Sequence, residues 1–483
     1  MSTFSGINTA RRALSAAQLG METTGQNIAN VNTEGYSRQR VEQSASVLNQ
    51  TGQFAQRFVP GDGVSVTGLT RVSDALATAT ARQDSAAAKE QATAAGIWSA
   101  VENAIGDTGT TGLSANLKDL SSAWNDLASK SGTDGLAGAR SLVVTRSQTV
   151  VTQVVGMNTQ LEGQYDQLGL QAQTLATQAT TIATNVAKLN TGIRETLASG
   201  ASANELMDQR DQLLNQLSDL TGSRTVHRDN GTVDVLVGNA TIVTGDFSYG
   251  LTVGNQVSAT DKTAVDPGAA RIGNVLVVTI GGQVAEPVSG ALKATLDGAN
   301  KTLADQKAGL DAFATKLTDK VNTAYRGTPA TTDFFVSADG NPVTAATLTL
   351  GVTTDSFRDS TGTDDNPGSA DRFYARAVSE AFNGAPAKPA TGTTPARDAV
   401  VGIKDDWRTH ATNLAASTQS AGNRAELASQ VSLKSSAVRD GVSGVNLDEE
   451  MTNLVAYQHA YSAAAKVLTT MDEALQSLLN MVR

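Results

Sequence analysis

Ile7, Leu14, Met21 and Ile28 recur at steps of seven, and Ala10, Ala17, Thr24 and Val31 each fall three residues later. Two interleaved seven-residue series are the a and d positions of a heptad. They predict a helix over the first thirty residues with a narrow seam rather than a broad apolar face. Asn8, Arg11, Arg12, Gln18 and Glu22 take the other sides. Ala and Thr at d bury little area, so the helix needs a partner at short distance. The far end of the chain carries a matching pattern: Leu447, Met451, Leu454, Gln458, Tyr461, Ala465, Leu468, Met471 or Asp472, Leu475, Leu478 and Val482. The steps alternate four and three, with one irregularity at 471–472. The economical expectation is that the two ends pair as a coiled coil in one terminal domain. Asp448, Glu449 and Glu450 sit in the first turn, where negative charge suits the helix dipole. In an antiparallel pair, Arg11 and Arg12 are expected near Asp472 and Glu473, where exposed ion pairs add about 0–1 kcal/mol each.

Between the ends the periodicity alternates. Val64, Val66 and Leu69, behind a Pro-Gly-Asp-Gly turn at 60–63, read as extended. Residues 138–199 are nearly free of breakers and predict one long helix or two collinear ones, and a second heptad-like stretch follows at 205–220. From 222 to 290 the period becomes two; "TVHRDNGTVDVLV" alternates about an Asp-Asn-Gly turn, a hairpin signal. Helix returns at 291–325. Residues 327–398 hold most of the prolines and read as short strands and loops, and helices resume from about 399. The expected class is mainly α with β insertions, elongated and multi-domain. The expected units are a terminal coiled-coil polymerisation domain (1–45 with 440–483), a helical rod domain (46–221, 291–326 and 399–439) and a β-rich outer part (222–290 and 327–398).

Composition sharpens this. Aromatics are 4% of the chain, too few for cores built on large rings. The formal net charge is −10 with no dense basic patch, so nucleic-acid binding has no electrostatic footprint. No apolar run is long enough to predict membrane insertion, and residues 1–30 lack the layout of a cleavable secretory signal. Cysteine is absent, which excludes disulfides and thiolate metal sites. The three histidines, His227, His410 and His459, have no metal-ligand spacing, and no nucleophile elbow, phosphate loop or dinucleotide fingerprint appears. "TDDNPGSAD" (363–371) departs from the Ca²⁺-loop spacing and reads as a solvated turn. No catalytic residue, metal or cofactor is expected.

The first helix stops hard at "ANVNTEGYSRQ". Asn30, Asn32 and Gly35 tolerate left-handed backbone, and the Thr33 hydroxyl can tie to local backbone. Taken alone, these residues make an ordinary C-cap and turn. In context, Asn27, Ile28, Ala29, Asn30, Asn32, Thr33, Gly35 and Tyr36 resemble the N-terminal signature of the bacterial flagellar axial family of rod, hook and hook-associated proteins. Glu34 stands where that family often has proline. Ser37-Arg38-Gln39 resembles the hook–filament junction branch rather than rod or hook proteins. "MDQRDQLLNQLSDLTG" (207–222) and the strand block after it are similar to internal segments of the same branch. Glu450, Leu454, Gln458 and Tyr461 match the family's C-terminal helix.

The resemblance implies a secreted, non-enzymatic structural subunit of the extracellular flagellum. It would be exported by the type III route, with a dedicated chaperone on its C-terminal region. It would form a homo-oligomeric ring that meets the hook protein and the next hook-associated protein. Another axial subunit, such as hook-associated protein 3, a rod or a hook type, remains the alternative, and a secreted coiled-coil adhesin or translocator a more distant one.

Overall fold

The computed structural model describes residues 3–45, 63–130, 135–256, 274–326, 333–357, 370–384 and 401–481. The helices are α1 (Thr3–Ala29), α2 (Ala75–Ile105), α3 (Leu113–Ser129), α4 (Leu136–Ala198), α5 (Asn204–Thr221), α6 (Gly290–Asp297), α7 (Ala304–Arg326), α8 (Ala370–Asn383), α9 (Ile403–Ser443) and α10 (Leu447–Met481). A π-helical turn, Gly298–Leu303, joins α6 to α7. The strands form four antiparallel sheets. They are β1 (Gln39–Ala45) with β2 (Val64–Arg71); β3 (Arg224–His227), β4 (Val233–Val237), β5 (Ala240–Thr244) and β6 (Phe247–Ser248); β7 (Leu251–Gln256), β8 (Val275–Ile280) and β9 (Gln283–Ala285); and β10 (Phe335–Ser337) with β11 (Leu348–Leu350). The protein is mainly α with β insertions.

Helix α4 is continuous over 63 residues, a strut about 95 Å long at 1.5 Å per residue. Its buried stripe changes character along its length. Val150, Val154, Met157, Leu161, Tyr165 and Leu168 are large, whereas Ala172, Ala176, Ala179 and Ala183 are small, on the stretch that carries Thr180 and Thr184 against β7 and β6. Alanine there lets strands approach the helix axis, and the Thr180 hydroxyl takes a hydrogen bond from Leu251 N–H at 2.9 Å. The scarce aromatics are concentrated rather than spread. Trp124, Tyr325, Phe334 and Phe357 stack edge to face or tilted at 5.1–6.3 Å, closing α3 and α7 over β10.

One difference from the sequence expectation concerns the stretch read as strands and loops. Helix α8 lies inside it, with Ala375, Val378 and Phe382 buried at helical spacing; its 14 residues are flanked by Gly, Pro and Thr runs that mask so short a period. Residues 363–369 of the acidic turn lie outside the described residues, as do 60–62 of the Pro-Gly-Asp-Gly turn.

Among the described residues one device joins helices to strands four times. In an antiparallel ladder, alternate residues direct both N–H and C=O to the same edge. Where no strand covers that edge, a helical asparagine does. Asn27 binds both groups of Gln39 (2.9 and 3.0 Å), and Asn190 both groups of Val233 (2.8 and 3.2 Å). Asn300, in the π turn, binds both groups of Leu276 (2.9 and 2.8 Å), and Asn322 both groups of Phe335 (2.8 and 2.9 Å). A carboxamide offers a donor and an acceptor as a peptide group does, so each asparagine stands in for one residue of a missing strand. Asn322→Ala should therefore cost about 2–4 kcal/mol, because it strands the amides of Phe334 and Phe335 and one carbonyl in a dry core. Asn423→Ala, on an exposed turn of α9, should stay within about 0.5 kcal/mol. Urea unfolding followed by circular dichroism compares the two; equal midpoints would refute the clamp's importance.

Candidate self-assembly site

Helices α1 and α10 pack antiparallel along most of their length. Asn27 lies against Glu450, Gly20 against Tyr457 and Gly6 against Met471. Each step of seven or fourteen in one helix is matched in the other, which is the register of a coiled coil. The centre of the seam on α1 is made of small groups: Ala10, Ala16, Ala17, Thr23 and Thr24 are buried, while Ile7, Leu14, Met21, Ile28 and Val31 flank them half-buried. Gly20 is the tightest point. A Cβ there would lie 2.6 Å from the Tyr457 ring, so the bare backbone is what admits the ring. Gly6, Ala13, Gly20 and Asn27 are seven apart, a series without aliphatic side chains that gives the true contact line and that hydropathy does not mark.

The α10 seam differs from the expected one. Leu454, Tyr461, Leu468 and Leu475 do face α1 and are half-buried, together with Tyr457 and Met471, and Ala464 is buried. Leu447 (44% exposed), Met451 (60%) and Gln458 point away from it; the side chain of Leu478 and all of Val482 lie outside the described residues. The contact line runs through Glu450 and Tyr457 instead of Met451 and Gln458, and the irregularity at 471–472 disappears. The cause is a buried charge: Glu450 is 2% exposed because it pairs with Asn27, and hydropathy alone assigns it to the surface. The same register sets Arg11 level with Lys466, about 9 Å of helix rise from Asp472, so the expected pairing of Arg11 and Arg12 with Asp472 and Glu473 is not the arrangement formed.

The turn motif is organised around Asn27, which is 1% exposed. Its amide nitrogen donates to Gln39 O and to Glu450 Oε2 (2.9 and 3.0 Å), and its oxygen accepts from Gln39 N–H and the Tyr36 hydroxyl (3.0 and 2.8 Å). Every hydrogen-bonding position of the side chain is filled. Asn30 N–H and its side chain both donate to Gln26 O, and the Thr33 hydroxyl donates to Asn30 Oδ1 at 3.1 Å rather than to backbone. Among the described residues left-handed backbone is confined to glycine; Gly35 has φ +80°, whereas Asn30 and Asn32 do not adopt it. Asn32 is exposed.

Gly35 also gives room to α5. A Cβ on it would overlap the Gln212 side chain, which donates to Glu34 O. The two motifs singled out in the sequence thus meet in space. Ser37 N–H donates to Asp208 Oδ2 (3.3 Å), Asn204 donates to Gln39 Oε1 and Leu69 O (3.1 and 3.2 Å), and Arg71 bridges Asp208 and Asp211 (2.8 and 2.7 Å). Arg71 is a partner that sequence reading missed, since it sits in a strand between two unrelated motifs. Burial pushes the Asp208 carboxyl above its usual range, with Arg71 opposing the shift. Burial, then the charges of Asp208, Glu205 and Glu450, push the Tyr36 phenol up to about 12.

A raised phenol pKa stabilises the fold in full below the unfolded value near 10 and loses that contribution as pH climbs toward 12. Wild type should therefore lose stability between about pH 10 and 12 more steeply than Tyr36→Phe, with Tyr165, also raised to about 12, leaving a residual slope in both. Tyr36→Phe should also be about 1 kcal/mol less stable at neutral pH, having lost the bond to Asn27. Parallel pH–stability slopes would contradict this. Gly20→Leu should cost about 1–3 kcal/mol by forcing Tyr457 out of the seam, read as protease sensitivity of α1 and α10 with the remaining helices intact.

Among the described residues no group of acidic or histidine side chains could hold a metal ion, and no helix is long and apolar enough to cross a membrane. Three family profiles match in order along the chain: flagella basal body rod protein at 7–36, flagellar hook-associated protein FlgK helical domain at 98–331, and flagellar basal body rod FlgEFG protein C-terminal at 441–481. The flagellar hook-associated protein 1 of Bacillus subtilis is 27% identical over 99% of this chain and 98% of its own length. That of Escherichia coli is 24% identical over 98% and 99%. The flagellar hook junction protein FlgK from Burkholderia pseudomallei, a solved structure, aligns over 55% of this chain and 45% of its own at 24% identity, with a TM-score of 0.42. With the profiles falling on the turn motif, the helical body and α10, and with relatives aligned from end to end, the chain is similar along its whole length to flagellar hook-associated protein 1 and is a structural subunit of the bacterial flagellum.

Proposed function

We propose that the chain is a non-enzymatic subunit of the joint between hook and filament, and that it assembles there with copies of itself through the α1–α10 limb. One observation carries the reading. The limb is a pair of helices with the β1–β2 hairpin also against α1, and among the described residues the side of α10 turned from α1 is left uncovered. Leu447, Met451 and Val455 are 44–60% exposed along one flank of α10 turned from α1, Val467 is 46% exposed on the other flank, and Leu479 and Met481 are 68% and 79% exposed near its end. An apolar surface of this kind marks an interaction site. Neighbouring subunits supply the missing cover, and ordering is offset by burial between chains. The small seam of α1 keeps the limb slim, which suits packing around an axis.

The same reading gives the chain a type III export route, the hook protein and the next hook-associated protein as neighbours, and a chaperone that shields the C-terminal region before assembly. The domain division follows: 1–45 with 440–483 as the assembly unit, 46–221, 291–326 and 399–439 as the helical body, and 222–290 with 327–398 as the outer part.

Met451→Asp combined with Val455→Asp should leave the monomer's helix content unchanged and abolish attachment to hooks. Met21→Asp should loosen the limb as well as block attachment. Electron microscopy of a strain lacking the native gene and supplied with each variant decides the matter: hooks without filaments support the reading, and normal filaments with the double variant remove the outer face of α10 from it. Deleting Leu447–Arg483 should abolish both attachment and chaperone binding in a pull-down; retained chaperone binding would move that site elsewhere.

A further inference from the structure

The limb meets the helical body through a joint with an unusual make-up. Two backbone hydrogen bonds converge on Arg38: its N–H donates to Ser443 O (2.9 Å) and its C=O accepts from Val72 N–H (2.8 Å). Three chain crossings, from α1 to β1, from β2 to α2 and from α9 to α10, therefore come together at one residue. Beside this point lies a cluster of buried charge. Arg71 bonds Ser37 Oγ at 3.1 Å as well as Asp208 and Asp211. Arg82, 9% exposed, bonds Asn215 and Thr225 (2.9 and 3.1 Å) and lies 3.7 Å from Asp211. Arg210 bonds Asn190 and Gly231 O.

Three features make this cluster a poor glue and a good catch. The hydrogen bonds and ion pairs across it are polar contacts between side chains and backbone, and opening them separates no pair of large apolar side chains among them. It is incompletely satisfied, with Arg71 Nε, Arg82 Nη2 and Arg210 Nε buried without hydrogen-bond partners. A partly satisfied ionic network holds a defined geometry at little net stability. Finally, uncovered aliphatic stripes lie on both sides of it: Leu427, Val431, Val438 and Val442 on α9 (43–62% exposed), and Leu447, Met451 and Val455 on α10. The angle at the joint decides whether one neighbour can cover both stripes.

We propose that Arg38 is a pivot and that Arg71 with Asp208, Asp211 and Ser37 is a latch, which fixes the limb against α5 in the free subunit and opens when neighbouring copies cover the stripes on α9 and α10. This rests on the assembly reading above. Burial of apolar surface between chains drives the opening; the latch sets the orientation in which the subunit arrives.

The absence of cysteine makes the test clean. Ser37→Cys with Asp208→Cys removes the latch when reduced and locks it when closed by oxidation or by a reducible bifunctional maleimide. The locked protein should keep its helix content and fail to attach to hooks, and reduction should restore attachment. Equal attachment by both forms overturns the latch, and so does failure of the reduced form while wild type attaches, since the contact would then be needed in the assembled state. Failure of wild type itself to attach would overturn the assembly reading instead. Independently, in the free subunit, Arg71→Met should broaden the distance between spin labels placed at Gln83→Cys and Gln458→Cys, both exposed positions. An unchanged distance distribution in Arg71→Met would show that Arg71 does not hold the limb.

Discussion

The carboxamide of Asn27 is the interaction on which the terminal limb depends. It ends α1, begins β1 and receives α10, and it does all three with a side chain that has no unused donor or acceptor. A hydrophobic residue at this position would bury equally well but would leave Gln39 N–H and C=O and the Tyr36 hydroxyl without this partner, and the Glu450 carboxylate to Arg38, 3.6 Å away. The penalty for such orphans exceeds what one added methyl or methylene group returns. The repeated use of the same device at Asn190, Asn300 and Asn322 shows a general solution to a compositional problem. A chain with few aromatics and many small residues has limited means of fixing where a short strand lies on a helix, and directional bonds fix it where bulk does not.

Much of the fold was legible because its periodicities are long. The 63-residue run of α4, the heptads at both ends and the Asp-Asn-Gly hairpin each repeat a local rule often enough to stand out. Helix α8 was hidden because two turns of apolar stripe between Pro- and Gly-rich flanks carry too little signal. The site was legible in part. Its motif residues were picked out by resemblance, yet their partners were not: Glu450 looked like a helix-dipole charge, and neither Gly20 nor Arg71 carries a periodicity or motif that marks it. Each acquires its role from a residue more than a hundred positions away. The error over Met451 and Gln458 has the same origin, since hydropathy ranks a buried glutamate last and cannot see the asparagine that satisfies it.

The joint and the seam contrast in physical kind. The seam of α1 and α10 is held by close packing of small groups and tolerates little change in volume. The joint is held by charge and hydrogen bonds, tolerates reorientation and contributes specificity rather than strength. Asp208 illustrates the balance: its burial disfavours the charged form, and Arg71 recovers part of that cost. A subunit built this way has one rigid contact and one adjustable contact on either side of the same short turn.

The pairing of Asn27 with Glu450 spans 423 positions of sequence. Ribosomes deliver the amino terminus first, so α1 exists without its mate until the final stretch has been made, and closing so long a loop is entropically costly and slow. A chain cut short anywhere ahead of α10 lacks the mate altogether. The limb is thus a built-in check on completeness: incomplete chains never acquire the finished tip, whatever the state of the body behind it.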